Sequence, residues 1–268
     1  MPPHKELFAD ANPYERFMGR WSRRLATQFI KFVAIGESDS ILDVGCGSGS
    51  LALAIADAFP SARVTGVDPS AAFIQHLQTK APDERLRFAV GDAQALQWGD
   101  ATFDKTVSQL VLNFVADRDT AVREMSRVTR PGGVVAAAVW DYSDGMRMLR
   151  VFWDEAVALD PALAARDERN MPLSKRGGLA TLWRAAGLQD VEDQPIVIDL
   201  AFSSFDDYWT PFLGGQGPAG AYVASLSDAG RATLEGRLRD RLLNSRKDGP
   251  FVLQARAWAV KGVVAPRP

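Results

Sequence analysis

Ile41-Leu42-Asp43-Val44-Gly45-Cys46-Gly47-Ser48-Gly49-Ser50-Leu51 reads as a buried strand, a glycine-rich turn and the first residues of an apolar helix. The glycines let the backbone take conformations closed to other residues. The turn gathers N–H groups at a helix N-terminus, a place that attracts anionic or carboxylate-bearing groups. Asp43 stands on the strand two residues before the first glycine. A dinucleotide fold wants G-x-G-x-x-G after its first strand. Here the glycines are Gly45, Gly47 and Gly49, with Ser50 where the third dinucleotide glycine would stand. Spacing and acid together favour a D-x-G-x-G-x-G turn over a pyrophosphate turn.

Outward from this turn, strands and helices alternate. The pattern predicts strands at Ile41 to Val44, Arg63 to Val67, Leu86 to Val90, Phe103 to Ser108 and Val134 to Trp140. Helices are expected at Trp21 to Phe32, Leu51 to Phe59, Ser70 to Lys80 and Thr120 to Val128, with Arg130-Pro131-Gly132-Gly133 ending the last and turning the chain. Ser70 is a candidate helix cap. After Trp140 the rhythm changes. Helices are expected near Met146 to Leu159, Leu179 to Ala186 and Asp228 to Leu243, and late strands at Ile196 to Leu200 and Phe251 to Val260. The expected architecture is α/β: a doubly wound, Rossmann-like seven-stranded sheet with helical lid insertions. The chain divides into a helical cap over 1–37, a cofactor-binding core over 38–140, and a remainder over 141–268 with lids at about 141–176 and 201–248. Long ordered excursions of this kind form lids or substrate walls.

Two further acids fall in register with the turn. Asp68, in Gly66-Val67-Asp68-Pro69-Ser70, ends the second strand, where a carboxylate can accept from both hydroxyls of a ribose. Asp92, in Gly91-Asp92-Ala93, follows the third strand, where it can accept from an adenine amine while the next amide reaches a ring nitrogen. An adenosine carrying an amino acid end fits this set. S-adenosylmethionine has no phosphate, and its ammonium needs an acceptor such as Asp43.

With Phe103-Asp104 leading to Ser108-Gln109-Leu110, and with Arg130-Pro131-Gly132-Gly133, the pattern resembles the class I S-adenosylmethionine-dependent methyltransferases. Within them it looks most like the small-molecule branch that includes ubiquinone/menaquinone-biosynthesis methyltransferases. The resemblance covers about residues 38–140. It implies that Asp68 and Pro69 flank the ribose, Asp92 and Ala93 the adenine, and Gly45, Cys46 and Gly47 the methionine part. Ser108, Gln109 and Leu110 would lie beside the sulfonium. The segment from Tyr14 to Trp21 looks like one that folds over the cofactor, with Arg20 pairing with its carboxylate and Tyr14 or Trp21 closing the cleft.

The resemblance implies methyl transfer from S-adenosylmethionine to a small-molecule acceptor through an O, N or C nucleophile. In-line displacement mainly needs proximity and alignment. A dedicated base is optional; its candidates are Asp141, Tyr142, Asp206 and Tyr208. Trp140, Tyr142, Trp209 and Phe212 are expected to wall the acceptor pocket. The rival readings are a protein that binds the cofactor without catalysis, a protein or RNA methyltransferase, and a nicotinamide-dependent oxidoreductase.

Composition narrows the field. The 268 residues carry a formal net charge of −2, which gives no field for a polyanion, so nucleic acid is not the expected partner. Cys46 is the sole cysteine, Met1 to Glu6 lack a signal peptide's apolar run, and no segment nears the ~20 apolar residues of a membrane span. A soluble, cytoplasmic protein is expected. His4 and His76, the only histidines, sit in unrelated contexts, so no metal site is expected.

Overall fold

The structure, a computed structural model, describes residues 15–80 and 83–266. A π-helical turn at Glu15–Gly19 runs into helix α1 (Arg20–Val33). There follow β1 (Ser40–Val44), α2 (Ser50–Ala58), β2 (Arg63–Asp68), α3 (Ala71–Lys80), β3 (Leu86–Val90), β4 (Phe103–Gln109), α4 (Arg118–Val128) and β5 (Thr129–Trp140). The first excursion holds α5 (Arg147–Leu159), short 3-10 turns at Pro161–Ala165 and Glu168–Asn170, and α6 (Gly178–Ala185). After β6 (Gln189–Phe202) the second holds α7 (Phe205–Trp209), a 3-10 turn at Thr210–Gly214, α8 (Gly217–Ser225) and α9 (Asp228–Leu243), and the sheet ends with β7 (Phe251–Val263).

These strands form one sheet in the order β3-β2-β1-β4-β5-β7-β6. The first five run parallel, and β7 lies antiparallel between β5 and β6. The chain steps outward from β1 to β3, then returns to place β4 on the other side of β1. That reversal opens a crevice beyond the carboxyl ends of β1 and β4, where α/β sheets bind ligands. The seven expected strands are all present, with β6 and β7 longer than the sequence suggests.

The Arg130-Pro131-Gly132-Gly133 segment is a correction. It lies inside β5 rather than forming a turn before it. Pairing with β4 jumps from Phe103↔Thr129 to Lys105↔Val134, so these residues bulge out of the ladder, with Gly132 at φ 74°. Helix α4 still ends where expected, at Val128.

Period-2 alternation sorts the core. Ala136, Ala138 and Trp140 of β5 join one cluster with α1, α2 and the excursions, whereas Val135, Ala137 and Val139 join the other with α4 and α6. Both faces are covered, which is why β5 reads as an unbroken apolar run.

An aromatic cluster binds the excursions to the N-terminal turn. The Phe212 ring stacks on Phe152 of α5 at 4.7 Å and meets Phe17 edge-on at 5.2 Å. Tyr208 lies 5.3 Å from Phe212, and its hydroxyl donates to the Met148 carbonyl at 3.0 Å. Three distant segments thus meet on one fully buried ring. Phe212→Ala should therefore cost about 3–5 kcal/mol in urea unfolding. A loss below about 1 kcal/mol would show that these segments are held elsewhere.

Candidate active site

The crevice is a cleft with about 840 Å³ free of protein atoms, part of it open to solvent. Its floor is the glycine turn. The Gly45 and Cys46 amides both donate to the Val67 carbonyl, at 2.7 and 3.1 Å, which ties the turn to β2. Gly45 has φ 77°, and a Cβ there would lie 2.4 Å from Val111 Cγ2. Leu110 sits at φ 66°, a left-handed conformation rare for a branched side chain, and follows β4 directly. Only glycine at 45 satisfies both the backbone and Val111. A Cβ on Gly47 would meet nothing within 4 Å, so this edge of the floor is open.

Two acids stand at the floor. Asp68 Oδ2 accepts the Gly47 amide at 3.0 Å and its Oδ1 the Ser70 amide at 2.9 Å. Burial nonetheless pushes its carboxyl above the ordinary range. Asp43 is 1% exposed, and its Oδ2 has no hydrogen-bond partner among the described residues. Burial first, then the charge of Asp68, push Asp43 up to about 7, against an opposing hydrogen bond from the Ala52 amide. Among the described residues, no lysine or arginine lines the cleft. Two carboxylates therefore share a desolvated floor with no cation to balance them.

The walls are mostly apolar. Phe17 and Met18 of the N-terminal turn, Leu110 and Val111 after β4, and Trp140 and Tyr142 at the end of β5 line the cleft. Gln109 lines it too, and its Nε2 donates to the Ser22 carbonyl at 3.0 Å. Cys46 also faces it, but burial and then the charges of Asp43 and Asp68 keep its thiol protonated.

Several expected site residues lie elsewhere. Tyr14 falls outside the described residues. Arg20 turns away from the cleft: it pairs with Asp207 at 2.8 Å and lies 4.1 Å over the Trp21 ring. Trp21 is core, edge-on to Phe202 at 5.3 Å. Phe17, Met18 and Ser22, one helical turn around, face the cleft instead. Ser108 is buried and donates to the Val44 carbonyl at 2.9 Å, stitching β4 to β1. Pro69, Asp92 and Ala93 do not line the cleft; Asp92 is exposed and accepts from the Gln94 amide and side chain at 2.9 and 3.1 Å. Trp209 and Phe212 belong to the aromatic cluster, not to the wall.

The candidate bases also sort. Burial raises Asp141, but the Ser143 hydroxyl, Arg256 and the Asp144 and Gly145 amides outweigh it and hold it below the usual range. That makes it a structural anchor of β5 to β7. Asp206 is exposed beside Arg239, and burial pushes the Tyr208 phenol far up. Tyr142 alone of the four lines the cleft. One acid that no motif marked joins it: Glu168, from the first excursion, 4% exposed and lining the same cleft. Its contacts come from α5, fifteen residues earlier, a spacing without any local sequence signal.

Residues 42–137 match the family described as methyltransferase domain. Trans-aconitate 2-methyltransferase of Methylobacterium radiotolerans is 29% identical over 207 residues, covering 71% of this chain and 78% of that protein. The 2-methyl-6-phytyl-1,4-hydroquinone methyltransferase of Synechocystis is 32% identical over 119 residues, 44% of this chain; the chain spans only 37% of that enzyme's length. Among solved structures, phosphoethanolamine N-methyltransferase 2 of Haemonchus contortus, in complex with S-adenosyl-L-methionine, is 19% identical with a TM-score of 0.58, covering 98% of this chain and 58% of that one. A [4+2]-cyclase is 20% identical with a TM-score of 0.52, covering 87% and 80%. Likeness at this identity speaks for the fold; the reaction rests on the site.

The unbalanced acids set a pH dependence. Asp43 rises from 3.8 to about 7 on folding, so between these values the folded chain holds more protons than the unfolded chain. Stability must then fall as pH rises through that window and level off above it. Urea unfolding of the protein should show lower stability at pH 8 than at pH 5, and Asp43→Asn should make the slope shallower, leaving the part that Glu168 contributes. A slope unchanged in the variant would mean that Asp43 is ionised throughout.

Proposed function

We propose that the protein transfers a methyl group from S-adenosylmethionine to a small, largely apolar acceptor, a reading supported by the match of residues 42–137 to the methyltransferase domain family. The observation that carries this reading is the pair of buried carboxylates, Asp43 and Asp68, in a cleft that no described lysine or arginine lines. Such a floor attracts a cation and repels a pyrophosphate. It suits a ligand with an ammonium and a sulfonium and disfavours a dinucleotide.

The residues fit the cofactor in parts. The orphaned Asp43 Oδ2 is an acceptor for an ammonium. Asp68 spends one lone pair per oxygen on the Gly47 and Ser70 amides and keeps the others for two ribose hydroxyls. The open face at Gly47 leaves room for the ligand to approach the backbone. Bound there, S-adenosylmethionine supplies a methyl carbon activated by a positively charged sulfur.

The chain's remaining work is alignment. Phe17 and Met18 cover the floor from the N-terminal side, and Gly217 and Pro218 reach the cleft from the second excursion. We take the N-terminal segment and the two excursions as lids that exclude water and hold an acceptor against the methyl. The apolar lining favours a small molecule over nucleic acid. The buried, unpaired Cys46 suits the cytoplasm, and no described helix is long and apolar enough to cross a membrane.

Calorimetric titration tests the reading. S-adenosylmethionine and S-adenosylhomocysteine should bind, NAD should not, and Asp68→Ala should weaken both by at least about tenfold. Binding of NAD instead, or no effect of the variant, would overturn it. Binding without methyl transfer to any member of a broad acceptor panel would favour a non-catalytic or cyclase-like role for the same site.

A further inference from the structure

Glu168 is a buried acid to which the assignment above gives no role. It opens the 3-10 turn Glu168–Asn170 and lines the cleft together with Asp43, Asp68 and Trp140. The turn is pinned. Asp167 caps it by accepting the Arg169 amide at 2.9 Å and forms a buried ion pair with Arg150 of α5, at 3.1 Å to Nη1. Trp153, also on α5 and fully buried, donates its indole N–H to Glu168 Oε2 at 2.7 Å. No hydrogen bond from a described residue reaches Oε1. Glu168 is therefore held rigidly by one oxygen, while the other is left for whatever occupies the cleft.

We propose that Glu168 is a catalytic residue that takes the proton from the hydroxyl of a phenol-like acceptor. The proposal rests on the methyl-transfer reading and names the acceptor class for it. The wall supplies the recognition: Phe17, Phe114, Trp140 and Tyr142 offer ring surfaces that suit an aromatic acceptor. Glu168 is the one acid that the excursions bring to this lining.

The chemistry balances. The acceptor O–H bond breaks and its proton goes to Glu168 Oε1. The oxygen lone pair forms the new O–C bond to the methyl carbon as the C–S bond breaks, and that bond's electrons stay on sulfur, leaving a neutral thioether. Glu168 then returns its proton to solvent.

The charges around Glu168 suit the task. Burial lifts its carboxyl to about 7, against the Trp153 indole and the Arg150 charge, while Asp167 adds to the rise. Arg169 neutralises Asp167 further, at 2.7 Å. A phenol, with an ordinary pKa of about 10, lies within reach of such a base when proton loss accompanies attack. An aliphatic alcohol is far too weak an acid.

The test uses the full chain, Glu168→Gln, and two phenols. The glutamine carbonyl still accepts from Trp153, so the turn keeps its support. Wild type and variant should bind S-adenosylhomocysteine equally by calorimetry. With 4-methoxyphenol, protonated at neutral pH, E168Q should lower kcat by ~100-fold or more with KM little changed, while with pentafluorophenol, already ionised, it should stay within about threefold of wild type. The wild-type rate on 4-methoxyphenol should rise with pH through an ionisation near 7 that E168Q lacks. Equal slowing on both phenols, loss of S-adenosylhomocysteine binding in E168Q alone, or no transfer to either phenol by a wild type that binds S-adenosylhomocysteine would each overturn the proposal. Failure of the wild type to bind S-adenosylhomocysteine would instead overturn the reading beneath it.

Discussion

Two carboxylates held together in a desolvated floor set the terms for the rest of this structure. Asp43 ends in the cleft because β1 pairs with β2 in a register that sets it opposite Gly66. Gly66 lacks a Cβ, and one built there would lie 2.8 Å from Cys46 Sγ, so the turn can close down on β2. Asp68, two residues further along β2, then caps Gly47 from the side. Bringing two like charges into one dry site is costly. A cation seated in the cleft would relieve that cost, and its binding would then be coupled to folding through the same two groups.

Everything else serves to keep that site dry and shaped. Leu110 takes a strained backbone conformation that sends Val111 against Gly45. The N-terminal turn lies over the floor, with Ser48 donating to Glu15 and Gln109 reaching the Ser22 carbonyl. The excursions are joined to that turn through Phe17, Phe152 and Phe212. Arg20, paired with Asp207, adds a polar tie between α1 and the second excursion. Arg20 and Gln109, which sequence reading assigns to the cofactor, thus also tie the N-terminal segment to the rest of the fold.

The sheet was legible because its signals are local. Unbroken apolar runs, glycine spacing and strand-end acids mark β1 to β5 without any knowledge of packing. The floor was legible for the same reason: Asp43, Gly45, Gly47 and Asp68 are motif residues, and all four line the cleft. The cover was not. Whether Arg20 or Met18 faces inward depends on the rotation of one helix about its axis, which the pattern around Trp21 does not fix. Trp209 and Phe212 look like pocket walls in sequence because aromatic residues serve cores and cavities equally well. Asp92 follows its strand as expected, yet its carboxylate closes on Gln94 in its own turn. Glu168 has no motif at all; its place depends on Trp153 and Arg150, which meet it only in three dimensions.

The cleft floor carries a shared negative charge that a cationic ligand would complete. Proton release on binding tests it most directly. S-adenosylmethionine should be titrated near pH 7 in buffers of differing ionisation enthalpy, with wild type and Asp43→Asn. With Asp43 poised at about 7, the wild type should release roughly half a proton more than the variant as the ligand locks that carboxylate in its ionised form. Release unchanged in the variant, or proton uptake by the wild type, would contradict the account.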